Sequence, residues 1–305
     1  MKTRYFLKCV LAGVAILLAM DSAKAQQIAF TWDDLPAHSA LPPGDTRVEI
    51  GRKLIAAMKS EHMPPVYGFV NAVQLDHEPA SAPMLKEWRD AGFLLGNHTW
   101  SHMNLNSSSA ADWEAGLLKN EPVLQQYAAG SDWHWLRFPY LAEGSSEASQ
   151  TEVRKFLAAH QYKIAAVTMS FGDYMWNEPY ARCVAKKDAA TIAELEQSYL
   201  EAAAGDADYR RAMAKALYNQ DIPYVLLMHV GAFDARMLPR LLRLYREKGF
   251  TFITLEEAEK HPFYMSAVNP ALPQQAGNLE ETMRERGLPL PVAPKLSMDV
   301  GNACR

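Results

Sequence analysis

Two histidines stand four positions apart in Gly96-Asn97-His98-Thr99-Trp100-Ser101-His102, directly after the apolar run Phe93-Leu94-Leu95. Two imidazoles at that spacing can reach one point in space if the backbone turns after the first, which suits a metal ion. On a surface loop the same pair is incidental, and the pair alone leaves both readings open. Adjacent carboxylates occur earlier, in Thr31-Trp32-Asp33-Asp34. Successive side chains leave a strand in different directions. One carboxylate can therefore bind a cation while the other acts as a base, provided a positive group holds it ionised. Taken alone, the acidic pair also reads as a solvated turn. Beside the histidines it becomes more specific: one aspartate and two imidazoles leave room for water or substrate, the composition of an open, hydrolytic metal site.

The elements that must position these groups are legible from periodicity. Seven short β-rich runs cover 28–32, 66–71, 93–97, 135–138, 163–169, 223–229 and 250–255, mostly apolar on consecutive positions as in strands covered on both faces. Helical stretches lie between them. One starts at Thr46-Arg47-Val48-Glu49, which has capping-box spacing. Others cover 82–91, 110–127, 147–160, 188–219 and 238–248, with Pro239 in the first turn of the last. Strands alternating with helices predict a parallel sheet, and seven units admit a closed or nearly closed barrel. In such folds reactive groups gather at the C-terminal ends of strands. Here the first run ends in Asp33-Asp34, the third in Asn97-His98, the fourth in Arg137-Phe138-Pro139-Tyr140 and the sixth in His229, while the fifth runs on to Asp173. Residues 177–222 are long for one crossover and predict an inserted helical pair. Residues 261–305, with six prolines, read as an irregular C-terminal wrap.

The 305-residue chain opens on Lys2, Arg4 and Lys8, an apolar run from Cys9 to Met20, and Ala23-Lys24-Ala25. This is the pattern of a secretory signal cut before Gln26, the run being short for a membrane anchor. Residues 1–25 hold four cations and one anion, so the chain beyond them stands at −7 against −4 for the whole. That acidity argues against a nucleic-acid partner. In an exported protein the remaining cysteines, Cys183 and Cys304, are a disulfide candidate.

In its motifs the sequence resembles the polysaccharide deacetylases, the NodB-homology domain of carbohydrate esterase family 4. Thr31-Trp32-Asp33-Asp34 is similar to Thr-Phe-Asp-Asp, His98 to His102 to the family's histidine block, Arg137-Phe138-Pro139-Tyr140 to Arg-x-Pro-Tyr, and Leu227-Met228-His229 to Leu-x-His. The resemblance spans about Ile28 to Ala258. The fourth motif, Asp-x-x-Asp-Trp, departs: Ser170-Phe171-Gly172-Asp173-Tyr174 keeps only the second acid, with Trp176 nearby. The resemblance implies an α/β fold, a distorted (β/α)7-type barrel, over residues 26–260. It also implies one divalent metal, usually zinc with cobalt, nickel or manganese as alternatives, and removal of N- or O-acetyl groups from a glycan. Its ligands would be Asp34, His98 and His102, its base Asp33 held by Arg137, and its acid His229 oriented by Asp173. The Tyr140 backbone N–H would face the oxyanion, and Leu227 with Tyr174 or Trp176 would line the acetyl pocket. Export points to peptidoglycan, a chitin-like polymer or an exopolysaccharide as partner, with no membrane anchor after cleavage. The alternatives are a metal hydrolase of a small amide or ester, and a catalytically silent carbohydrate-binding relative. His38, His62, His77, His134, His160 and His261 lack a partner at matching spacing and read as exposed or hydrogen-bonded loop residues.

Overall fold

In the computed structural model, which describes residues 26–128 and 130–305, strands and helices alternate as the periodicity predicts. The expected signal, residues 1–25, lies outside the described residues. The order is β1 (Gln26–Leu35), α1 (Arg47–Ser60), β2 (Tyr67–Val70), α2 (Val73–His77), α3 (Pro83–Asp90), β3 (Leu94–Asn97), α4 (Ala110–Tyr127), β4 (Trp135–Leu136) and α5 (Glu147–Ala159). It continues with β5 (Lys163–Ile164), α6 (Asn177–Lys186), α7 (Ala189–Tyr218), β6 (Tyr224–His229), α8 (Ala232–Glu247), β7 (Phe250–Phe252), α9 (Leu255–Ala258), α10 (Met265–Val268) and α11 (Leu279–Glu285). All strand pairs are parallel, in the order β5-β4-β3-β2-β1-β6, with β7 beside the start of β1. After β5 the chain makes one further parallel bridge, Met169 to Leu226 of β6, so the sheet curls into a distorted barrel with a seam.

The two faces of each strand serve different layers, because side chains alternate with period two. Ala29, Tyr67, Phe69, Trp135, Ala165 and Val225 fill the barrel, closed below by Leu255, Ala258 and Tyr264. Phe30, Trp32, Leu226 and Met228 point outward into the larger core under α1, α3, α7 and α8. A third cluster seats α4 and α5 on β4 and β5. The same alternation that sends Ala29 inward sends Thr31 and Asp33 inward, and the set Val225, Leu227, His229 follows on β6.

Three expectations change. β4 and β5 are only two residues long, because the chain leaves the sheet to turn Arg137 inward and to cross the seam. The predicted helix over 238–248 begins earlier, at Ala232, and Pro239 lies inside it. Ala232, Phe233, Ala235 and Met237 are buried there, and Asn177 Oδ1 accepts the Phe233 N–H at 2.8 Å; packing of this first stretch outweighs the hydrogen bond a mid-helix proline forfeits. The tail carries order of its own: α11 packs on α7, and Cys304 is joined to Cys183 in α6 by a disulfide. Residues 177–218 form two helices, α6 and α7. No described helix is long and apolar enough to cross a membrane.

Candidate active site

Asp33 and Asp34 sit near the end of β1, His98 directly after β3, Arg137 directly after β4, and His229 closes β6. Parallel pairing puts these ends on one rim, with Asp33 in register with His229. Within it the donor atoms of Asp34, His98 and His102 all lie within 4.8 Å of one another. Asp34 Oδ1 is 3.6 Å from Nε2 of both His98 and His102. His98 donates its Nδ1 proton to the Arg137 carbonyl at 2.7 Å, which leaves Nε2 as a lone-pair donor facing the carboxylate. The 98–102 loop is brought back by polar side chains beneath it. Asn71 donates to the His98 and Thr99 carbonyls, and Asn97 Oδ1 accepts the Thr99 N–H.

Four non-glycine residues here adopt left-handed backbone: Asp34 (φ 63°), Thr99 (59°), His102 (54°) and Tyr140 (60°). For a β-branched residue such as Thr99 this conformation is rare. Backbone strain of this kind gathers at functional sites, where the surrounding structure holds it in place.

The second carboxylate has a different setting. Asp33, 2% exposed, accepts from Arg137 Nη1 at 3.0 Å. Arg137 is fully buried, and its remaining donors reach Thr31 Oγ1 at 2.9 Å and the Ala165 carbonyl at 2.8 Å. Its guanidinium lies over the Phe69 ring, 4.9 Å from the centroid. Arg137, directly after β4, thus joins β1 and the residue after β5 through one cation whose planar fork fits three acceptors. Across the rim, His229 Nδ1 meets Asp173 Oδ1 at 3.0 Å, and the His229 backbone N–H donates to Asp173 Oδ2 at 2.6 Å. Behind them Asp234, wholly buried, accepts from Asn177 and Tyr199. Burial and the neighbouring Asp173 charge push it well above the usual carboxylate range, so it adds no second anion.

Charge states follow from these contacts. Burial works to raise Asp34, but the His38 hydrogen bond and the His98, His229 and His102 charges hold it well below the usual carboxylate range. Burial, then His98, pushes His102 down to about 4, against the pull of Asp34 and Asp33. Burial disfavours the His229 imidazolium, yet the charge and hydrogen bond of Asp173 raise it to about 10. A group raised this far stays protonated through neutral pH and loses its proton only as pH climbs through the raised value. Asp173→Asn removes the largest raising influence and leaves burial opposed only by the Asp34 and Asp33 charges, so His229 is expected to titrate well below its wild-type value. Imidazole NMR of the metal-free protein checks this: wild type stays protonated at pH 8 and the variant does not.

The remaining expected residues divide. The Tyr140 ring packs 4.4 Å from that of His102. Tyr174, partly exposed, stands 5.2 Å from the His229 ring. Leu227 is buried on the inward face of β6. Trp176 is different: it is wholly buried and its indole N–H donates to Ser198 Oγ at 2.9 Å, so it belongs to the core under α7. Of the two aromatics, Tyr174 is the one beside His229. His38 is a hydrogen-bonded loop residue as expected, but its partner belongs to the site: its Nδ1 lies 2.8 Å from Asp34 Oδ2 and its ring 5.2 Å from His229. Spacing after the acidic pair was its only sequence signal.

Comparisons with known proteins bear on the family and the fold. Residues 21–165 match the sequence model of the family described as polysaccharide deacetylase. That stretch holds Asp33, Asp34, His98, His102 and Arg137, while Asp173 and His229 lie beyond it. No curated protein matches the chain in sequence. Among solved structures, a family 4 acetyl xylan esterase from Clostridium thermocellum, in complex with a cobalt ion, is 15% identical with a TM-score of 0.52, over 83% of this chain and 98% of that one. A peptidoglycan N-acetylglucosamine deacetylase is 17% identical with a TM-score of 0.52, over 77% of this chain and 89% of that one. A family 4 pseudoenzyme from Bacillus anthracis is 14% identical with a TM-score of 0.51, over 77% and 66%. At such identities the likeness is one of fold. The two comparisons meet at one conclusion: residues 21–165 belong to the polysaccharide deacetylase family, within a chain that has the fold of carbohydrate esterase family 4.

Proposed function

We propose that the chain is an exported, metal-dependent deacetylase that hydrolyses N-acetyl or O-acetyl groups on a carbohydrate polymer of the peptidoglycan, chitin-like or exopolysaccharide kind. Its catalytic domain would be residues 26–260 with α6 and α7 as an insertion, after a cleaved signal over 1–25 and before an extension over 261–305. One observation carries the reading: Asp34, His98 and His102 converge within 4.8 Å on the rim that also holds an arginine-paired carboxylate and an aspartate-paired imidazole. The donor set fits a divalent cation. Ligands about 2.0–2.1 Å from a tetrahedral zinc stand roughly 3.3 Å apart, against 3.6 Å for both Asp34–histidine spacings. The same donors also accept cobalt, nickel or manganese. When bound, such a cation acidifies a water and polarises the acyl carbonyl.

The chain's own groups supply the rest. Asp33, held in place by the Arg137 hydrogen bond, takes the proton of the water that attacks the acyl carbon. The Tyr140 backbone N–H faces the acyl oxygen as negative charge develops on it. His229 gives its proton to the departing nitrogen as the C–N bond breaks, since an amide anion is a very poor leaving group. The products are acetate and a free amine. Leu227 and Tyr174 flank the acetyl methyl.

Acetate release from N-acetylated chito-oligosaccharides, peptidoglycan fragments and acetylated xylan tests the proposal. Turnover is expected on at least one polymer, lost on chelation and restored by zinc or cobalt. Turnover confined to small amides or esters would make the protein a different metal hydrolase. Glycan binding without acetate release would make it a silent relative, as the Bacillus anthracis pseudoenzyme is described.

A further inference from the structure

We infer that His38 is a positioning residue of the metal site, holding one oxygen of Asp34 so that the other faces His98 and His102. The inference rests on the metal-binding reading of those three residues. A carboxylate oxygen only accepts here, so His38 donates from Nδ1 to Asp34 Oδ2 over 2.8 Å. Oδ1, the other oxygen, is 3.6 Å from each of the two Nε2 atoms. The two oxygens therefore have separate partners. An unheld carboxylate turns broadly about its terminal torsion and can engage a cation through one oxygen or both. A donor on one oxygen removes that freedom, and such outer contacts set metal affinity.

His38 is itself fixed. Its backbone N–H donates to the Val230 carbonyl at 2.6 Å, tying it to the residue after His229. The Ala37 carbonyl accepts from Arg47 Nη1 at 3.0 Å, and Arg47 is braced by Glu78 at 2.6 Å. The ring lies 5.2 Å from His229 and 6.2 Å from Tyr174. It thus borders both the ligand carboxylate and the proposed acid.

Titration of the metal-free protein with Co²⁺ alone, read by visible absorption and by competition with a chelator, decides the matter. Wild type is expected to bind with a d–d band. His38→Ala is expected to bind about 10- to 100-fold more weakly with a shifted band. His38→Asn, whose Nδ2 can donate from near the Nδ1 position, is expected to recover most of the affinity and the band. If the alanine variant does not fold, His38→Leu against His38→Asn makes the same comparison. Wild-type affinity and an unchanged band in His38→Ala or His38→Leu would overturn the role of His38 alone. Equal affinity in wild type and Asp34→Asn would overturn the metal site, and this inference with it.

Discussion

Asp33→Asn is expected to lower kcat for acetate release by about 10²- to 10⁴-fold, the range for a lost general base, while leaving bound metal near the wild-type level. The substitution keeps size and shape but cannot take a proton. Asp33 reaches Arg137 through Oδ1 at 3.0 Å, and its Oδ2 is 3.7 Å from His98 Nε2. It therefore lies beside the donor set without being counted among the three converging residues. Steady-state kinetics with metal content measured on the same sample separates the roles. Near-normal kcat would remove Asp33 as the base. Loss of metal together with kcat would make it a ligand instead.

Arg137→Met is expected to destabilise the fold by about 3–5 kcal/mol, the usual cost of breaking a buried ion pair from one side. Arg137 is fully buried and Asp33 nearly so. Methionine fills similar volume but strands the Asp33 anion, the Thr31 hydroxyl and the Ala165 carbonyl, all of which accept from the guanidinium. Lysine keeps the charge but not the fork, so Arg137→Lys is expected to recover only part of the loss. Urea unfolding measures both. In an Asp33→Asn background the methionine substitution should cost less, because no orphaned charge remains, and a double-mutant cycle reads that difference. A cost near zero in the wild-type background would mean that Asp33 is solvated or neutral.

Much of the site's placement is legible in the sequence alone. Parallel strands alternating with helices place strand ends on one rim, and period-two alternation sends Asp33 inward with Ala29 while Trp32 goes out. The Thr46–Glu49 capping box forms as its spacing predicts. Other features resisted. Pro239 reads as a helix start, yet buried residues before it extend the helix by two turns. Trp176 and Tyr174 are equal candidates along the chain, and only the packing of α7 makes one core and the other rim. His38 had no motif, because its hydrogen bond depends on a loop pinned at one end by Val230 and at the other by Arg47.

The division has a physical basis. Residue type, strand period and parallel direction are properties of short stretches, and they suffice to say which groups reach the rim and what chemistry their types permit. Asp33 and Arg137 are 104 residues apart, and His229 and Asp173 are 56 apart. Contacts at that separation depend on how whole layers pack, so only the folded chain decides which oxygen meets which nitrogen. It does so for Asp34, whose two oxygens are spoken for by His38 on one hand and by His98 and His102 on the other.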